Sequence, residues 1–210
     1  MRRVIKLVEN LKNKEVSKLI KKRIKEFEDL GQRDNKEIFK ELCYCILTAN
    51  FNALKSIEIS KEINDGFLFL SLKELTGELY RLGHRFPNMR SKFIFDARKY
   101  SSNLKEILNS FKTEYEMRDW LVKNIKGYGL KEASHFLRNI GKKNLAIIDF
   151  HIIDFLVRNK LIAPLDKKAL NRKKYLEIEK KLLSLSKKLR LTLGELDLYL
   201  WYSETGNVLK

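Results

Sequence analysis

Apolar residues recur along this chain at intervals of three and four, the spacing that lines one side of an α-helix. Val4, Leu7, Val8 and Leu11 form a first stripe, and Val16, Leu19, Ile20, Ile24 and Phe27 a second. Phe39, Leu42, Cys43 and Ile46 continue the pattern, and Ile178, Leu182, Leu185 and Leu189 repeat it late in the chain. Strand-like runs are scarce. One short apolar run, Leu145-Ala146-Ile147-Ile148, is isolated and ends at Asp149, a residue suited to cap a helix. It is expected to be a buried connector, and the fold class that follows is all-α.

Two of the helical stripes meet at Lys126-Gly127-Tyr128-Gly129. Trp120, Leu121 and Ile125 mark the face before it; Ala133, Phe136, Leu137 and Ile140 mark the face after it. Glycines one residue apart can take backbone angles closed to other residues, so a tight turn can present successive N–H groups to an anion. The unit predicted is a helix-hairpin-helix. Lys131 stands two residues beyond its second glycine, and Asp149 follows eighteen residues later.

Charge narrows the partner. Against 27 Asp and Glu stand 44 Lys and Arg, a formal charge of +17 that favours a polyanion, nucleic acid foremost. Arg158 to Arg190 holds 12 Lys and Arg against 3 Asp and Glu; these form either the solvated faces of amphipathic helices or phosphate contacts. No apolar run approaches the roughly 20 residues that span a bilayer, and no signal-length apolar core follows Met1-Arg2-Arg3-Val4. A cytosolic protein is expected.

The 210 residues suggest one or two compact domains, and 44% apolar residues suffice for a core. Prolines occur only at 87 and 164, and no Gly/Ser-rich linker divides the chain, so close-packed lobes are expected. Cys43 and Cys45 are too few for a disulfide framework or a four-cysteine cluster, and on a helix they point about 200° apart. Buried free thiols are expected. His84, His135 and His151 are widely separated, so no metal site is expected.

The residues around the hairpin resemble the active-site region of the helix-hairpin-helix DNA glycosylases, with Gly127, Gly129, Lys131 and Asp149 at matching positions and Lys126 where many members have proline. Four further segments resemble the archaeal-type 8-oxoguanine DNA glycosylase/AP lyases. They are Leu47-Thr48-Ala49-Asn50-Phe51, Leu82-Gly83-His84-Arg85-Phe86, the stretch Lys131 to Asn139, and Asp197-Leu198-Tyr199-Leu200-Trp201-Tyr202. The likeness spans nearly the whole chain.

That resemblance implies two helical lobes with the active site between them: a middle lobe near 32–140 carrying the hairpin, and a second lobe from 1–31 plus 141–210. It implies that Lys131, unprotonated, attacks C1′ of a damaged nucleoside, while Asp149 either assists proton transfer or stabilises positive charge on the sugar. Asp149 can cap a helix as well. Gly127 and Gly129 would bind DNA phosphate, and Asn50 would fill the gap left by an extruded base or simply end a helix. Phe86 and Trp201 would sandwich that base, unless both are core aromatics. Lys210 would accept from N7–H of 8-oxoguanine through its carboxylate, unless the chain end is disordered. The implied enzyme excises 8-oxoguanine and nicks the abasic strand by β-elimination, without metal or cofactor. Its partner is double-stranded DNA containing 8-oxoguanine or abasic sites, with no membrane, and the expected state is a monomer associated with the nucleoid. Two rivals are a glycosylase for another lesion and a helix-hairpin-helix binding protein without chemistry. A lysine at 131 with an acid at 149 argues against the second, because phosphate contact requires neither.

Overall fold

Side-chain caps begin most of the longer helices, which explains why the apolar stripes start where they do. Asp34, Asn52, Ser71, Thr113, Asp149, Asn171 and Thr192 each accept from a backbone N–H in the first turn that follows. The computed structural model describes residues 1–166 and 170–210; Lys167 and Lys168 of the basic tract lie outside the described residues. Among the described residues there are thirteen α-helices and no strand. In chain order they are α1 (Arg2–Lys12), α2 (Val16–Gln32), α3 (Asn35–Thr48), α4 (Ala53–Ile63), α5 (Gly66–Phe69), α6 (Leu72–Arg81) and α7 (Pro87–Ala97). There follow α8 (Leu104–Asn109), α9 (Glu114–Asn124), α10 (Leu130–Asn139), α11 (Phe150–Arg158), α12 (Arg172–Leu189) and α13 (Leu193–Thr205).

The buried apolar side chains fall into two clusters. One runs from Ile38 to Leu145 and is built around α3, whose side chains are buried from Ile38 through Thr48 apart from the half-buried Lys40. The other joins Val4 to Phe27 with Ala146 to Leu200. The N-terminal helices thus pack with the C-terminal ones. Leu19 departs from the expected stripe: it is exposed, because α2 buries Val16, Ile20 and Phe27 and turns the intervening position to solvent.

Charged and polar ties cross between the clusters. Arg118 of α9 and Glu179 of α12 form a buried two-pronged ion pair, at 2.6 and 2.9 Å. Gly31 near the end of α2 lies so close to the end of α10 that a Cβ there would stand 2.2 Å from the Ile140 carbonyl oxygen. The run Leu145–Ile148 is a buried connector without regular structure. Its backbone is held from α12: Ala146 N–H donates to Glu179 Oε1 at 2.9 Å, Tyr175 Oη donates to the Ala146 carbonyl at 2.7 Å, and Ile148 N–H reaches Tyr175 Oη at 3.3 Å. Cys43 and Cys45 are free, fully buried thiols.

Candidate active site

The hairpin is fixed from two sides. Tyr128 is buried and its Oη donates to the Leu42 carbonyl of α3 at 2.9 Å, while Lys126 pairs with Asp96 of α7 at 2.8 Å. Gly127 has φ +85°, and a Cβ there would stand 2.5 Å from the Phe93 ring, so both conformation and space require glycine. Gly129 differs from the expectation. Its backbone is extended, φ −100°, a conformation open to any residue, and its N–H already donates to Glu132 Oε2 at 3.2 Å. A phosphate reaching Gly129 would compete with that carboxylate.

From the hairpin, α10 carries Lys131 on its first turn. Lys131, His135 and Arg138 follow at i, i+4 and i+7, which places them on one helix face. All three line a cleft of about 570 Å³. The connector delivers Asp149 to the same cleft, where its Oδ1 accepts from Ile152 N–H at 2.8 Å and caps α11. Capping uses one carboxylate oxygen, so the cap is compatible with a second duty. Lys131 Nζ stands 3.8 Å from Glu132 Oε1 and keeps a quarter of its side chain exposed.

Asn50, Trp201 and Lys210 also line this cleft. Asn50 is exposed in a left-handed turn, φ +57°, directly after α3. Two buried groups hold that turn: Arg90 Nη2 donates to the Ala49 carbonyl at 2.6 Å, and His84 Nε2 meets the Leu47 carbonyl at 3.1 Å. Because His84 Nδ1 accepts from Phe86 N–H at 3.0 Å, its proton sits on Nε2, and burial lowers its affinity for a second one. Trp201 is half-buried, with His151 set edge-on against it at 5.4 Å. Phe86 is not brought to this wall. It precedes α7, and the guanidinium groups of Arg85 and Arg90 lie 5.0 and 5.7 Å from its ring centroid.

Sequence reasoning assigned no role to Asp197, Arg138 or Glu41. Asp197 lines the cleft four residues before Trp201, so the shared face of α13 was the available signal. Its carboxyl is pushed up to about 6, first by burial and next by the charge of Asp149, against the opposing pull of its ion-pair partner Arg138. Burial drives His135 well below the usual imidazole range, and the neighbouring Arg138 and Lys131 charges act in the same direction. His135 therefore stays neutral near pH 7. Among the described residues no group of three or more His, Cys, Asp or Glu could hold a metal ion, and no helix is long and apolar enough to cross a membrane.

A helix-hairpin-helix whose following helix presents a lysine into a cleft that an aspartate at the next helix start also lines defines the class of the helix-hairpin-helix DNA glycosylases. Residues 20–191 match the family of 8-oxoguanine DNA glycosylases. The 8-oxoguanine DNA glycosylase/AP lyase of Methanocaldococcus jannaschii is 52% identical over 207 residues, 99% of each chain, and that of Korarchaeum cryptofilum is 49% identical over 203 residues, 97% of this chain and 96% of the relative. A crystal structure of the former enzyme in complex with a 15mer DNA containing 8-oxoguanine superposes with a TM-score of 0.96 at 51% identity, covering 99% of this chain and 100% of that one. The Thermotoga maritima enzyme superposes with a TM-score of 0.93 at 38% identity over 100% and 99% of the two chains. The chain belongs to the 8-oxoguanine DNA glycosylase family.

Proposed function

We propose that this protein removes 8-oxoguanine from double-stranded DNA and then cleaves the abasic strand, with Lys131 as nucleophile. The observation that carries the reading is the convergence of Lys131 and Asp149 on one cleft, from helices whose starts are fixed by the hairpin and by the Asp149 cap. Unprotonated Lys131 Nζ forms a bond to C1′ as the C1′–N9 bond breaks, and the electron pair leaves with the base, which takes up a proton. Loss of the amine proton and opening of the sugar ring give an imine. Removal of a C2′ proton then expels the 3′ phosphate by β-elimination, and water hydrolyses the imine to free the lysine. Asp149 stabilises the positive charge that develops on the sugar or carries a proton between these steps.

Base recognition falls to the far side of the cleft. Trp201 offers a ring for stacking, and a backbone oxygen of Lys210 accepts from N7–H of 8-oxoguanine, where guanine presents an acceptor instead. Phe86 joins the stack only if the turn before α7 closes on DNA. Asn50 enters the gap left by the extruded base, and the hairpin around Gly127 and Gly129 takes the phosphate. The lobes proposed for this work are 32–140 and 1–31 plus 141–210, a division supported by the two apolar clusters. The enzyme acts as a monomer in the cytoplasm on nucleoid DNA, to which its +17 charge draws it.

End-labelled duplexes carrying 8-oxoguanine, other oxidised bases or a preformed abasic site test the reading, with base release and nicking measured separately. Preferred release from the 8-oxoguanine duplex, followed by nicking, is expected. Release of another lesion in preference would replace the substrate; nicking of none would leave a binding protein.

A further inference from the structure

We infer that Glu41 is a specificity-determining positioning residue, which seats the segment 206–210 as a wall of the cleft by holding the Lys210 ammonium. The inference rests on the base-recognition reading above. Glu41 is only 4% exposed, within the buried length of α3, where a carboxylate without partners would be costly. Its oxygens are divided between two donors: Oε2 accepts from Lys210 Nζ at 2.7 Å and Oε1 from Asn139 Nδ2 at 2.6 Å.

One turn further along α3, Tyr44 completes the grip. The Lys210 ammonium lies 4.2 Å from the centroid of its ring, and Tyr44 Oη donates to the Lys210 backbone oxygen at 3.0 Å. The backbone of Lys210 also meets the buried His135 ring. Segment 206–210 follows α13, which belongs to the second apolar cluster, whereas α3 and α10 build the first. The segment therefore straps one lobe to the other, and Asn207, Leu209 and Lys210 line the cleft as it crosses. Through Asn139, which accepts from Arg138, the same carboxylate is linked to the Arg138–Asp197 pair, which also lines the cleft.

Stability alone gives a weak reason for this arrangement, because a buried ion pair is commonly no better than well-packed apolar residues. Position gives a stronger one. A pair that fixes Lys210 fixes the acceptor that reads the base, and it is dispensable when there is no base to read.

Glu41→Gln keeps the shape of the side chain but retains one acceptor for two donors, so one contact becomes donor against donor. Single-turnover release of 8-oxoguanine should slow about tenfold or more, the loss of one charge-assisted hydrogen bond, while cleavage of a preformed abasic site stays within about twofold of wild type. Lys210→Met, which keeps the backbone oxygen and removes the ammonium, should reproduce the split, and the double variant should be no slower than the slower single one. Should Glu41→Gln fail to fold, Lys210→Met carries the test alone. Equal losses in both reactions, unchanged base release, or additive losses in the double variant would each overturn the inference. Wild-type protein that releases no 8-oxoguanine yet nicks abasic DNA would instead overturn the substrate reading on which it stands.

Discussion

Replacing Arg118 by Met removes one half of the ion pair that joins the hairpin helices to α12, and its cost can be bounded from the geometry. The side chains of Arg118 and Glu179 are 1% and 4% exposed, so the remaining carboxylate would keep its charge in a nearly water-free place. Breaking such a pair costs about 3–5 kcal/mol. In a chain of this size that corresponds to a fall in Tm of roughly 6–20 °C, at about 2–4 °C per kcal/mol. The loss should not stay local. Glu179 Oε1 also accepts the Ala146 N–H, and Ala146 belongs to the connector that ends at Asp149. Urea denaturation of wild type, Arg118→Met and the double variant Arg118→Met/Glu179→Leu measures the effect. The double variant should recover part of the loss, because it leaves an unpaired backbone N–H, worth about 1–3 kcal/mol, rather than a buried charge. A loss below about 1 kcal/mol for Arg118→Met would show that the pair is solvated and refute the argument.

Asp149→Asn retains a capping oxygen and removes the charge, so Tm should stay within about 2 °C of wild type while single-turnover base release slows about a hundredfold or more; matched rates would remove Asp149 from the chemistry. Gly31→Ala sets a methyl group 2.2 Å from the Ile140 carbonyl oxygen, and should cost about 1–3 kcal/mol in urea denaturation. A neutral outcome there would mean that α2 and α10 separate freely. The folded protein holds the Asp197 proton more tightly than the unfolded chain does, since the carboxyl is raised from 3.8 to about 6. Its contribution to stability is therefore full below about pH 4 and is lost as pH rises through about 6. The stability difference between wild type and Asp197→Asn, followed from pH 4 to 7, should fall over that window; a flat difference would contradict the assignment.

The helices and the hairpin were legible because both are local: periodicity, caps and glycines lie within a few residues of the elements they make. Lys131 and Asp149 stood out through the resemblance of the hairpin region to the helix-hairpin-helix DNA glycosylases, and both line one cleft. Phe86 was a matter of where the turn before α7 points, and nothing in its neighbours announced that its ring would lie beside two arginines and not line the cleft. Likewise, Leu19 fits the helical stripe of α2 but faces water, because the stripe is wider than the surface it packs on. The buried charges were hidden most deeply. Arg118 and Glu179 are 61 residues apart, and Glu41 and Lys210 are 169 apart. In a chain with 44 basic and 27 acidic side chains, no local signal separates those few pairs from solvated ones.

Borohydride reduction during turnover on an 8-oxoguanine duplex tests the central claim most directly, because an amine nucleophile must pass through an imine that the reductant converts to a stable link. The account predicts a covalent protein–DNA adduct that maps by peptide mass to Lys131, and a Lys131→Gln protein that folds and binds the duplex but forms no adduct. An adduct mapped to another residue, or trapping by Lys131→Gln at the wild-type rate, would contradict it.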